Sequence, residues 1–283
     1  MTYHILYNPL SNNKRGEEAA KKLSETLSGD KVEMHDLIPL TDYVTFFGEM
    51  PEEDAVVLCG GDGTLNRFVN DTEGLTIRQK LYTFAAGSGN DFLRDVEGVD
   101  EHGLQDLEKY IKDLPVVTVK GEKYRFLNGI GYGIDGYCCE VGDKLRATSD
   151  KPINYAGIAI KGLLFHFKPA NATVTVDGKT ETFRKVWLAP TMNGRFYGGG
   201  MMPTPDQNRL DPEHKVSTLV LFGSGKLKTL IVFPSLFKGE HVKHTEMCRV
   251  FTGHHVKVTF DRPCALQIDG ETILDVTEYE VDA

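Results

Sequence analysis

An apolar run that breaks into glycines is what most constrains this chain. Residues 54–68 read DAVVLCGGDGTLNRF. A run such as DAVVLC has no polar alternation, so it fits a strand buried on both faces. Gly60, Gly61 and Gly63 follow, and LNRFVNDT (65–72) carries a helical pattern. Glycine loses more chain entropy on folding than any other residue. Glycines at a strand-to-helix junction therefore indicate either a tight turn or a ligand lying against the backbone.

The surrounding sequence predicts the same alternation. YHILYN (3–8), KVEMHDL (31–37) and LYTFAA (81–86) read as strands. Residues 14–28 place Ala19, Ala20, Leu23 and Leu27 on one helical face, and GLQDLEKYIKDL (103–114) reads as a further helix. Strands alternating with helices predict a parallel sheet with right-handed crossovers, whose ligands bind beyond the carboxyl ends of the strands. The loops NPLSNNKRG, GGDGTLN and GSGNDF would all open on that edge.

Beyond about residue 118 short β-like runs recur, with VDGK (176–179) as a hairpin turn. This predicts a mostly antiparallel β domain, with NYAGIAIKGLLFHFK (154–168) as a partly apolar helix. The expected division is an α/β domain over 1–122 and a β domain over 123–283, with the last residues returning to the first domain and a cleft between the two. The formal charge of −9 argues against nucleic acid as a partner. No stretch approaches the roughly 20 apolar residues of a spanning helix, and the start, MTYHILYNPL, lacks the pattern of a secretion signal. The five cysteines show no metal-ligand spacing, which fits packing residues in a reducing, cytoplasmic setting.

At the end of a buried strand, the first N–H groups of a helix and the positive end of its dipole favour an anion. GGDGT is paired with a second loop, Gly87-Ser88-Gly89-Asn90-Asp91, and the pair points to nucleotide phosphates. The lysine of a P-loop is absent, and the spacing is not GxGxxG. Asp62 would be repelled by phosphates. It must meet Mg²⁺, a ribose or base donor, or a neighbouring N–H.

On these residues the sequence resembles the diacylglycerol kinase catalytic family in its bacterial lipid-kinase branch. NPLSNN resembles the NPxSG motif, with Asn12 at its glycine. GGDGTLNRF resembles the signature, and AAGSGNDFLRD the PxGTxNDF segment. FLNGIGYGIDG (126–136) resembles a glycine-rich strand carrying Asn128 and Asp135. TMNGRFYGGGMMPTPDQNRLD (191–211), KGEHVKHTE (238–246) and LQIDGE (266–271) resemble later motifs. The resemblance implies an NAD kinase- or phosphofructokinase-like α/β domain followed by a β-sandwich. It implies ATP contacts at Asn8, Ser11, Asn12, Asn13, Lys14, Gly60, Gly61, Asp62, Gly63, Thr64, Leu65, Asn66 and Ser88, with Thr41 as a further candidate. Asp62 would hold Mg²⁺ on the phosphates. Asp211, in LDPEHK, survives from an acidic metal loop in which Pro212 and Glu213 replace aspartate and glycine.

Glu271 matches the general base of the family, which takes a proton from a lipid hydroxyl as it attacks the γ-phosphorus. Burial in the cleft would raise the pKa of its carboxyl toward neutrality. Without the resemblance, Asp269-Gly270-Glu271 reads as a hairpin turn. Asn128, Asp135 and Asn193 fit turn chemistry as well as catalysis. His241 and His244 fit packing and hydrogen bonding better than metal binding, since two ligands do not make a zinc site. Between 144 and 168 stand five basic residues (Lys144, Arg146, Lys151, Lys161, Lys168) and one acidic one, Asp150. With IAIKGLLFHF they suit an anionic membrane surface, or else a core helix with a solvated face. A kinase of NAD or a sugar phosphate, and a binding module without turnover, remain alternatives. The lipid is not named by the sequence. Oligomeric state is open, a homodimer being one form it allows.

Overall fold

The computed structural model describes residues 1–86, 90–149 and 153–283, with every side chain in them except that of Asn13. The chain divides into two compact units, Met1–Asp113 and Leu114–Ala283.

The first unit runs β1 (Thr2–Tyr7), α1 (Ser11–Lys14), α2 (Gly16–Thr26), β2 (Lys31–Asp36), α3 (Tyr43–Gly48), β3 (Ala55–Gly60), α4 (Asp62–Asp71), β4 (Lys80–Ala85), α5 (Asp91–Asp95), β5 (Gln105–Asp106) and α6 (Glu108–Ile111). Its sheet has the order β2-β1-β3-β4-β5. The first four strands are parallel, and β5 joins β4 antiparallel. All six residues of β3 are buried, as its unbroken apolar run predicts. Ala20, Leu23 and Leu27 pack on Ile5, Val57 and Cys59, the residues that alternate onto one face of the sheet. Tyr43 and Phe47 of α3 meet Phe68 of α4 in edge-to-face contacts.

Residues 103–114, expected as one helix, form β5 and the single turn α6 instead. The Leu107 N–H donates to the Leu81 carbonyl at 3.0 Å, and Asp106 accepts from the Glu108 N–H at 3.0 Å. Both bonds take groups away from a helical ladder and give them to the sheet edge and a local turn.

The second unit runs β6 (Val116–Val119), β7 (Glu122–Arg125), β8 (Gly129–Tyr132), α7 (Ile134–Arg146), α8 (Tyr155–Lys161) with a π-helical turn at Gly162–His166, β9 (Ala170–Val176), β10 (Lys179–Val186), β11 (Thr191–Met192), β12 (Val216–Leu221), α9 (Lys226–Val232) with short 3₁₀ turns at Phe233–Lys238 and Glu240–Lys243, β13 (Cys248–Gly253), β14 (His255–Ile268) and β15 (Glu271–Asp282). The pairings are antiparallel, in the order β13-β12-β11-β8-β14-β15-β6-β7, with β9 joining β14 and β10 pairing β9. This is an antiparallel β-sandwich. The hairpin predicted at VDGK is present, with Asp177 and Gly178 at φ 47° and 80°. Tyr132 stacks on Phe260 at 3.8 Å between ring centroids in the core.

GIGYGIDG is not one strand. Strand β8 stops at Tyr132, Gly133 turns the chain at φ 112°, and Asp135 lies in the first turn of α7. The five cysteines are free thiols, four of them buried. Burial pushes the Cys59 and Cys248 thiols up to about 12, so they act as apolar packing groups. Among the described residues no helix is long and apolar enough to cross a membrane.

Candidate active site

Strands β1 and β3 end side by side, with Tyr7 in register with Cys59, so Asn8 and the glycine loop emerge together. The Asn8 amide Nδ2 donates to Thr64 Oγ1 at 3.3 Å, and Ser11 Oγ lies 3.3 Å from the same oxygen. The Asn8 Oδ1 is held by the Leu10 N–H at 3.0 Å. Three polar side chains thus meet at the start of α4. Gly61 is the N-cap, and its carbonyl accepts from the Thr64 N–H at 2.9 Å and the Leu65 N–H at 3.1 Å. Gly61 supplies no side-chain cap, and the helix dipole puts partial positive charge at this carboxyl edge of the sheet. A phosphate fits that chemistry.

What lies against Gly60 is Thr64, because a β-carbon at 60 would overlap the Thr64 side chain. Asn12, at the family's glycine position, has φ 49°, and asparagine is among the few side chains that adopt this left-handed conformation readily. Lys14 is exposed, while Leu65 and Asn66 are buried, and Asn66 Oδ1 accepts from Asn70 Nδ2 at 3.4 Å. Thr41 is exposed just ahead of Asp42, which caps α3. Ser88 and the side chain of Asn13 lie outside the described residues.

Of the partners open to Asp62, the structure supplies neighbouring N–H groups. Its Oδ2 accepts from the Asp91 N–H and its Oδ1 from the Phe92 N–H, both at 2.9 Å. It therefore caps the first turn of α5 from across the unit. Nothing in the GGDG spacing shows this, since the partners lie about thirty residues downstream.

Asp269 does the same in the second unit. Its Oδ2 accepts from the Leu127 N–H at 2.6 Å, and its Oδ1 from the Asn128 and Gly129 N–H groups, each at 2.9 Å. Asp269 and Gly270 have φ 46° and 102°, forming the two-residue turn between β14 and β15. Glu271 is the first residue of β15. It is exposed, not buried as expected, although it pairs with the buried Ile268 across the turn. Beside this turn, Arg209 Nη1 donates to the Leu127 carbonyl at 2.8 Å and Nη2 to Asn128 Oδ1 at 2.9 Å. Asn193 Nδ2 donates to the same Leu127 carbonyl at 2.9 Å. Asn128 and Asn193 therefore shape the turn's support. Arg209 and Asp269 carry no sequence signal beyond their nearness to QNRLD and IDGE.

Asp135 is buried, and Tyr197 donates its hydroxyl to Asp135 Oδ2 at 2.9 Å. Gly131 makes the room: a β-carbon there would overlap Oδ2. Burial raises the Asp135 carboxyl to about 6, opposed by the Tyr197 hydroxyl and the Gly136 N–H. The folded state then keeps a proton that the unfolded chain releases near 3.8. Stability should therefore fall as pH rises from about 4 to about 6, by about 3 kcal/mol. Asp135→Asn should abolish that slope in urea unfolding and stabilise the protein at pH 7.5. An unchanged slope would place its source elsewhere.

Asp211 turns its oxygens onto its own loop, accepting from the Glu213 N–H at 3.2 Å and the Lys215 N–H at 3.3 Å. Among the described residues it joins no group of three potential metal-ligand side chains. His241 is buried with Nε2 2.8 Å from the Pro203 carbonyl, and burial lowers its pKa. His244 faces Glu246 at 3.8 Å. The two rings serve separate local contacts.

Residues 2–118 match the model of the diacylglycerol kinase catalytic domain, and residues 128–279 that of the YegS C-terminal NAD kinase beta sandwich-like domain. A protein named "Diacylglycerol kinase" from Mycobacterium tuberculosis is 26% identical over 202 residues, covering 69% of this chain and 63% of that protein. The chain thus spans less than two thirds of that relative's length. "Putative lipid kinase YtlR" of Bacillus subtilis is 24% identical over 245 residues, covering 77% and 76%. A crystal structure described as "a putative diacylglycerol kinase from Bacillus anthracis str. Sterne" aligns with TM-score 0.68 at 19% identity, covering 99% of this chain and 91% of that one. That likeness extends the shared fold over both units. Two consecutive domain matches, in the order the motifs predict, place this chain in the bacterial family that joins a diacylglycerol kinase catalytic domain to a YegS C-terminal NAD kinase beta sandwich-like domain.

Proposed function

We propose that the chain is a kinase that uses ATP and Mg²⁺ to phosphorylate the hydroxyl of a lipid, diacylglycerol or a related one. The observation that carries this reading is the meeting of Asn8, Ser11 and Thr64 at the N-terminus of α4, in a domain of the diacylglycerol kinase type. When bound, ATP and its metal supply the transferable γ-phosphoryl group and neutralise its charge. Asn8, Ser11, Lys14, Thr64 and the backbone of 60–63 serve the phosphates. Asp62 caps α5 and would hold the metal, directly or through water. Glu271 accepts the proton of the acceptor hydroxyl as its oxygen bonds to phosphorus and ADP leaves. In phosphoryl transfer, positioning and charge neutralisation contribute more than proton transfer.

Transfer of labelled γ-phosphate to a panel of lipids in mixed micelles, with NAD as a soluble acceptor, tests the reading. A lipid should be labelled, and Glu271→Gln should slow transfer about 10²- to 10⁴-fold. Label on NAD alone would move the chain to soluble substrates. ATP binding without any transfer would leave it a binding module.

The lipid reaches a protein of this kind at a bilayer. Phe165, Leu227 and Ile231 are 73%, 73% and 78% exposed, on the neighbouring π-turn and α9, with Lys161 and Lys168 exposed nearby in sequence. Of the other basic residues in the 144–168 stretch, Lys144 pairs with Glu140 and Arg146 with Asp143, and Lys151 lies outside the described residues. A lysine-flanked apolar surface suits anionic lipid. Changing Lys161 and Lys168 to glutamate should weaken co-sedimentation with anionic vesicles, and unchanged binding would remove this surface from the proposal.

A further inference from the structure

The sheet of the first unit gathers a second set of polar side chains that phosphoryl transfer does not use. In the parallel pairing of β1 and β2, His4 stands in register with Glu33 and Leu6 with His35. Alternate residues share a face, so His4, Glu33 and His35 project together. His4 Nδ1 lies 3.0 Å from His35 Nε2 and 3.7 Å from Glu33 Oε2. All three candidate ligand atoms lie within 4.8 Å of one another.

The surroundings orient these atoms. His4 Nε2 lies 3.3 Å from Asp54 Oδ2, and Asp54 is buried and also accepts from the Thr2 N–H at 2.5 Å. A carboxylate facing Nε2, with Nδ1 turned to the cluster, matches the carboxylate–histidine–metal arrangement. Phe46 packs edge-on against both rings, 6.4 Å from His4 and 5.1 Å from His35 between centroids. Glu33 gives Oε1 to Lys31 Nζ at 2.7 Å, while Oε2 faces His4. Its side chain is 41% exposed, against 10% for His4, so the cluster opens to solvent on the carboxylate side.

We infer that His4, Glu33 and His35 form a binding site for a divalent metal of borderline softness, Zn²⁺ foremost, with solvent as the fourth ligand. Zinc binds two histidines and a glutamate in this way, at ligand distances that put neighbouring donors of a tetrahedron about 3.3 Å apart. The separations of 3.0 and 3.7 Å bracket that value. Two imidazoles disfavour Mg²⁺ and Ca²⁺, which take oxygen ligands. The site is therefore chemically separate from the metal that accompanies ATP. A bound ion would tie the edge strand β2 to β1 by a link other than the backbone ladder.

The test uses the full chain, stripped with a chelator and titrated with Zn²⁺ alone. The parent should bind one equivalent in competition with a chromophoric chelator, and its melting temperature should rise by a few degrees. His35→Gln and the more exposed Glu33→Gln should each weaken binding at least tenfold and lose the shift, while Mg²⁺ should give neither effect. Co²⁺ in the same site should show d–d bands without thiolate charge transfer. The assignment is overturned if the parent binds no zinc, if both variants bind as tightly as the parent, or if a thiolate band places the ion on cysteine.

Discussion

Asp269→Ala is expected to destabilise the second unit by on the order of 3–5 kcal/mol, with a lower midpoint in urea unfolding. The carboxylate accepts from three consecutive N–H groups, those of Leu127, Asn128 and Gly129. These groups lead into β8, and truncation leaves them without their charged acceptor. Asn in its place keeps one oxygen but turns an NH₂ toward a donor, so Asp269→Asn should fall between alanine and the parent. Glu271 follows two residues later, so both variants should also lose phosphate transfer, more than their folded fraction accounts for. Parent-like stability in the alanine variant would show that the turn stands without this clamp.

Asp62→Asn separates two roles of the signature aspartate. If its carboxylate matters as the cap of α5, the variant should be about 2–3 kcal/mol less stable with a chelator present and no nucleotide added. Its affinity for ATP should fall too, because the GSGN loop leads straight into the capped N–H groups of Asp91 and Phe92. If the carboxylate serves a metal alone, stability in chelator will match the parent and only metal-dependent binding will suffer. Thermal melts with and without chelator distinguish the two.

The architecture of the first unit was legible because its strands are short apolar runs and its turns are glycine loops. The α/β alternation, the buried β3 and the face of α2 all follow from local pattern. The hairpin at Asp177-Gly178 was legible because two left-handed residues leave few alternatives. Helix α7 was hidden because GIGYGIDG carries its glycines through the strand end and into the helix start, so no period announces the change. Residues 103–114 misled for the converse reason: a helical period was present, yet the Leu107 N–H was worth more on β4. In the candidate site the motifs gave the residues but not their partners. Asp62 looks like a ligand-facing acid and Asp269 like a turn residue, yet both accept from main-chain donors far away in sequence. His4, Glu33 and His35 come together only through the register of β1 with β2, which no spacing encodes.

The strand pairing of the second unit also sets an order of events during synthesis. Val281 of β15 pairs with Val117 of β6, and Leu266 of β14 with Tyr132 of β8. The central strands of the sandwich thus close on partners made well over a hundred residues earlier. On a ribosome, β6 and β8 emerge with their apolar residues uncovered and wait while the chain as far as residue 282 is made. Contacts of such long range also make folding slow. The nascent second unit should therefore be the stage at which this protein depends most on chaperones and is most exposed to aggregation.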